Sequence, residues 1–160
     1  MTNSDFPRRA ALAFVLCVLP ALVVLARADD VHTIKGAPAS FTAECSSCHM
    51  AYPPSLTGKA NWGGIMAGLD KHYGVDASID SKTQQEISTW LLANAATSAR
   101  QAAASPEFRI TRSDWFIRKH DEVSASVWKR ASIKSAANCG ACHSGAAGGD
   151  FNEDRIRIPK

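Results

Sequence analysis

The sequence predicts a mainly α protein built of short helices in two small lobes, and three observations carry that prediction. Apolar residues recur at helical spacing in several short segments cut by Pro and Gly. No run alternates apolar and polar residues long enough to make a sustained strand. Finally, Cys45-Ser46-Ser47-Cys48-His49 is matched far down the chain by Cys139-Gly140-Ala141-Cys142-His143, one C-x-x-C-H unit for each lobe.

Each unit reads as a c-type haem attachment site. Two thiols (Cys45 and Cys48, Cys139 and Cys142) are placed to form thioethers with the haem vinyl groups, and His49 or His143 is placed to ligate the iron from one side. A single C-x-x-C-H also occurs in redox and zinc proteins. Two of them behind an export signal point to a small two-lobed c-type cytochrome, with short helices packed around two covalently attached haems.

The export signal occupies 1–28 of the 160 residues. Arg8 and Arg9 form a positive n-region, Ala10 to Leu25 is almost wholly apolar, and Ala26-Arg27-Ala28 fits the small-x-small cleavage rule. Cleavage after Ala28 and a periplasmic location follow. The competing reading is an uncleaved anchor, against which the apolar run is short for a span of ~20 residues. Processing removes Cys17, so every remaining cysteine lies in one of the two motifs. An oxidising compartment would otherwise favour two disulfides. Losing Arg8, Arg9, Arg27 and Asp5 takes the formal charge from +3 to +1, and haem propionates lower it further. Charge therefore gives no ground for a nucleic-acid partner.

Along the mature chain, 29–99 forms the expected N-terminal haem lobe. Gly36 and Pro38 break the start, and Phe41 to Met50 predicts a short helix ending in the first motif, stopped by Pro53-Pro54. Trp62, Ile65, Met66, Leu69 and His72 share one stripe of a helix over about Asn61 to Tyr73, with Gly74 as its cap. Asp80 or Ser81 caps the next helix, Lys82 to Ala99, whose apolar face carries Ile87, Trp90, Leu91 and Ala95. An alanine run, Pro106 and mixed charge make 100–112 a linker. The C-terminal haem lobe is 113–160. There Ser113 caps a helix whose stripe is Phe116, His120, Val123 and Val127, and Ile133 to Ser144 carries the second motif on a short helix. Gly145 to Gly149 reads as a flexible loop, and the alternation around Ile156 and Ile158 predicts a short extended tail.

The function turns on the far side of each iron, since an open position admits oxygen or peroxide chemistry and two strong protein ligands favour electron transfer. Met50 directly follows His49 and is held on the near side. Met66 stays possible for the first haem, and no methionine follows the second motif. His72 and His120 each lie on an amphipathic segment near one motif, so His72 is assigned to the first haem and His120 to the second. A crossed pairing is left open. His32 has no helical context and is placed on the surface. The metal ligands expected are thus His49, His72, His120 and His143, with both irons low-spin and of lower potential than a His/Met pair would give.

These residues resemble the bacterial periplasmic dihaem cytochrome c family, whose members are bis-histidine electron carriers. The resemblance runs through Glu44-Cys45 to Tyr52-Pro53-Pro54, then Gly68-Leu69-Asp70-Lys71-His72-Tyr73-Gly74. Trp115-Phe116 to His120, Asn138-Cys139 to His143, and Gly149 to Pro159 complete it. It covers most of the mature chain and implies a helical two-lobed fold with His49, His72, His120 and His143 at the ligand positions. It also implies redox partners: a membrane donor such as a b-type cytochrome, and a soluble acceptor, in some relatives a small oxygen-binding monohaem c-type cytochrome.

The enzymatic alternative is a small dihaem peroxidase-like or oxygen-reactive protein, which needs one exchangeable iron site with acid–base groups over it. A zinc module leaves both histidines after C-x-x-C unexplained, and a thioredoxin-like oxidoreductase lacks any βαβ pattern around its motif. Trp62, Trp90, Trp115 and Trp128 read as packing around haem or core. Arg109, Arg112 and Arg118 read as solvated charge, with propionate pairing as the functional option.

Overall fold

Proline and glycine set the helix lengths. The computed structural model describes residue 32 and residues 34–160; the expected signal segment and its cleavage after Ala28 lie outside the described residues. Helix α1 (Ala39–Cys45) follows the extended Pro38 and stops inside the first motif, where the Ser46 N–H donates to the Thr42 carbonyl. It is shorter than expected because the chain must turn between the two motif cysteines. After Pro53 and Pro54, both fully buried, a 3-10 turn leads into α2 (Lys59–Ala67).

Helix α2 ends at Gly68, so the stripe expected to run through to Tyr73 is broken there. A separate 3-10 turn, Leu69–Lys71, then delivers His72 just beyond its last residue. Helix α3 (Ser81–Asn94) starts at Asp80, whose carboxylate accepts from the Lys82 and Thr83 N–H groups. It stops before Ala99 because Ala96 turns away to donate to the Thr57 carbonyl at 2.9 Å.

The first lobe closes on Phe41, Ile87 and Leu91, which are all but inaccessible, joined by Trp62, Met66, Ala51 and Ala95. Ile87 and Leu91 are one turn apart on the face of α3 that meets α1 and α2. Each such side chain contributes about 1.5–3 kcal/mol through burial. Trp62 keeps its polar edge satisfied by donating Nε1–H to the Pro54 carbonyl at 2.7 Å.

The segment 100–112, expected as a linker, is packed against α2. Its first residues belong to α4 (Ala99–Ala102), capped by Ser98. Buried Asn61 donates to Thr57 Oγ1 (2.6 Å) and the Ala103 carbonyl (3.0 Å), and accepts from the Ser105 N–H (3.1 Å). Phe108 lies so near Gly64 that a Cβ there would meet its ring at 2.5 Å. On the 100–112 side the polar anchors are backbone groups, and Phe108 packs on a glycine, so local periodicity does not announce these contacts.

In the second lobe Ser113 caps α5 (Asp114–Lys119) by accepting from the Phe116 N–H at 3.1 Å. The stripe expected to continue to Val127 is divided, since α5 ends at His120 and α6 (Ala125–Trp128) begins after Ser124. The second motif lies on a 3-10 turn, Cys139–Ala141, above the fully buried Ile133. Gly149 closes the following loop at φ +82°, a conformation glycine takes without steric cost. The tail is extended from Ile156. It is tied down by Arg157 N–H to the Cys142 carbonyl (3.0 Å) and by Arg130 to the Pro159 carbonyl (2.7 Å). Among the described residues there is no strand, only isolated bridges, and no helix long and apolar enough to cross a membrane.

Candidate haem sites

Four histidines meet as two facing pairs. His49 and His72 have ring centres 6.2 Å apart with planes 25° from parallel. His120 and His143 have centres 6.2 Å apart with planes at 79°. An imidazole nitrogen binds a metal at about 2 Å, so two rings on opposite sides of one ion have centres about 6 Å apart. Both pairs meet that requirement, and each has its C-x-x-C thiols alongside in sequence. The residues therefore fit two covalently attached haems. His72 lies against His49 and His120 against His143, each beside the histidine of the nearer motif.

Ring orientation is set by neighbours. His49 donates Nδ1–H to the Met50 carbonyl at 2.7 Å, and His120 donates Nδ1–H to the Phe116 carbonyl at 2.9 Å. Each bond fixes a tautomer that leaves Nε2 as the lone-pair nitrogen. An aromatic ring flanks every member of the two pairs. Tyr52 stacks on His49 (4.8 Å, 29°) and Phe116 on His120 (4.0 Å, 21°). Tyr73 lies 4.8 Å from His72 and Phe151 lies 5.3 Å from His143. Trp128 adds a second wall to His120 at 5.7 Å.

Electrostatics favour the ligating form of His72 and His143. Burial lowers the His72 pKa below its ordinary value, helped by His49 and by the Arg109 guanidinium. His143 is lowered by burial and by His120, with Asp150 and Glu153 opposing. Neutral imidazole is the form that coordinates a metal. Burial pushes the Cys45 and Cys139 thiols up to about 11. None of the four motif cysteines is paired in a disulfide, so each is available for a thioether.

Beside the first pair, Tyr73 adopts φ +52° ahead of Gly74 at φ +98°, and Arg109 sits 3.9 Å above the Tyr73 ring. Glu107 holds Arg109 and Arg112 at 3.1 and 3.0 Å. Those ion pairs are exposed and contribute little to stability, yet they bring Arg109 to the His72 side of the site. Met66, the other far-side candidate, is packed among Phe41, Trp62 and Leu91 in the core.

His32 departs from expectation. It is buried, at 5% exposure, instead of lying on the surface. Its Nδ1 is 2.8 Å from Ser55 Oγ, its N–H donates to the Gly149 carbonyl at 2.9 Å, and its ring meets Trp115 and Phe151 edge-on. Groups from both lobes bury it, and no local periodicity could announce that. The flanking rings Tyr52, Tyr73 and Phe151 were also missed as site residues, although Tyr52 and Tyr73 stand within three residues of a ligand candidate.

Among the described residues no three His, Cys, Asp or Glu side chains gather as a metal cluster. The donors face each other in pairs, unlike the tetrahedral set of a structural zinc site. Paired histidines beside C-x-x-C thiols, on short helices, define a small c-type haem protein. The family model for dihaem cytochrome c matches residues 41–151, and the chain belongs to that family. It is a haem-binding electron-transfer protein with two c-type haems.

A diheme cytochrome c from Shewanella baltica OS155 is 38% identical, over 76% of this chain and 92% of that one, with a TM-score of 0.67. A diheme cytochrome c from Rhodobacter sphaeroides is 40% identical, over 72% of this chain and 98% of that one, with a TM-score of 0.63. A second structure, of DHC purified from the same organism, is 41% identical over 72% and 97%, with a TM-score of 0.62. No curated protein matches the chain.

Proposed function

We propose that both irons are bis-histidine, His49 with His72 and His143 with His120, and that the protein is a non-catalytic periplasmic relay. It takes electrons from a membrane donor such as a b-type cytochrome and passes them to a small monohaem c-type cytochrome. The observation that carries this is the 6.2 Å separation shared by the two histidine pairs. A bound c-type haem supplies a one-electron couple. The protein's own part is to hold it by two cysteines, cap the metal from both sides and fix the ring planes by the Met50 and Phe116 carbonyls. It also walls the site with Tyr52, Tyr73, Phe116, Trp128 and Phe151. Two imidazole ligands on each iron would make it low-spin and close it to outside ligands.

The test is an absorption spectrum of the purified protein, oxidised and reduced, with carbon monoxide added to the reduced form. Two low-spin haems that ignore carbon monoxide are expected, on a chain whose mass begins at Asp29. Stoichiometric carbon monoxide binding at one haem would replace this reading with an oxygen- or peroxide-reactive one.

A further inference from the structure

We propose that Tyr52 is the positioning residue that locks the two haem sites together, its ring on the ligand of one and its hydroxyl on the peptide leading into the other. The inference rests on His49 being an axial ligand. Tyr52 stands three residues after His49, and its ring folds back to stack on the imidazole at 4.8 Å and 29°. Its hydroxyl donates to the Ala137 carbonyl at 2.6 Å, a partner remote in sequence. That same oxygen lies 3.8 Å from the Cys139 sulfur. One side chain therefore spans from the first motif's histidine to the carbonyl that faces the first cysteine of the second motif.

Both ends of this strut are stiff. On one side Pro53 and Pro54 are fully buried and have fixed φ. On the other, the turn before Cys139 is closed by Ala137 N–H to Ser135 Oγ (3.0 Å) and by Asn138 Nδ2 to the carbonyl of fully buried Ile133 (3.0 Å). A thioether at Cys139 removes the thiol proton, after which Tyr52 still donates to the shared carbonyl. Exchange between the sites then moves one electron, oxidising one iron(II) and reducing one iron(III), with no bond or proton changing place.

The test compares wild-type holoprotein with Y52F and Y52L at equal haem content, measuring intramolecular electron equilibration after pulsed reduction and the two midpoint potentials. Y52F keeps the stack and loses only the anchor. Its equilibration is expected to slow by about threefold or more, since small misplacements of reacting groups carry large rate costs. Y52L also loses the stack, and should slow further and shift the potential of the first haem. Equilibration in Y52F within about threefold of wild type overturns the assignment, whatever Y52L does. Failure of the ligation reading is seen separately, as carbon monoxide binding by the wild type at the first haem.

Discussion

His120 and His143 face each other with ring centres 6.2 Å apart and planes at 79°, so the two imidazoles are nearly perpendicular. The first pair shares the separation and differs in being within 25° of parallel. Perpendicular axial rings leave the two iron dπ orbitals close in energy, whereas parallel rings split them. Low-temperature EPR of the oxidised protein should therefore show two low-spin signals of equal spin count, one rhombic and one strongly anisotropic with a large leading g value. Substituting His120 should remove the anisotropic signal alone. Two identical rhombic signals would contradict the geometry.

Opening one site should leave the other intact. With His72 as the far-side ligand proposed above, reduced H72A should bind about one carbon monoxide per chain and the wild type none. H72M should instead stay six-coordinate and raise the potential of the first haem, since methionine ligation favours the reduced iron. Optical titration reads both results. Uptake of two carbon monoxide molecules by H72A would mean that the sites are not independent.

Two glycines of one neighbourhood should respond in opposite directions. A Cβ on Gly58 would lie 2.5 Å from the Ala102 carbonyl oxygen and 2.6 Å from its Cα, backbone that cannot swing aside. A Cβ on Gly63, inside α2, would meet nothing within 4 Å. Urea denaturation should therefore show G58A destabilised by about 1–3 kcal/mol through overpacking. G63A should be stabilised by about 0.5–1 kcal/mol through helix propensity. Equal effects of the two changes would refute the close approach of 99–102 to α2.

The cap of α3 gives a pH signature. Hydrogen bonds from the Thr83 side chain and backbone lead in holding the Asp80 carboxyl below its ordinary value. The unfolded chain then binds the proton more readily, so the contribution is present above the unfolded carboxyl range and fades as pH falls through the folded value. Thermal melts should show D80A less stable than wild type at neutral pH, with the gap closing as pH falls below the ordinary carboxyl range. D80N, still able to accept the capping bonds, should keep the stability and lose most of the pH dependence.

The chemistry was more legible in the sequence than the architecture around it. The C-x-x-C-H units are local, so Cys45 to His49 and Cys139 to His143 could be read without a fold. His72 and His120 were legible because each lies within one apolar stripe, although neither stands inside a continuous helix. Gly68 divides the first stripe and the end of α5 at His120 divides the second. The periodicity survives because the pieces on either side of each break face the same site; Phe116, His120 and Trp128 meet there across a gap between helices.

What failed to show was anything built by contact between remote segments. Gly64 reads as a weakness in α2 until Phe108 is seen lying on it. Residues 100–112 read as a linker because their anchors are the Ala103 carbonyl and the Ser105 N–H, which carry no side-chain signature. His32 belongs with them, since its burial is made by Ser55, Trp115 and Phe151.

That buried histidine also clasps the two halves of the chain together. Its backbone N–H donates to the Gly149 carbonyl, beyond the second motif, while its ring reaches Ser55, just beyond the first. Closing so large a loop costs chain entropy, so the clasp holds only while both halves present their side of it.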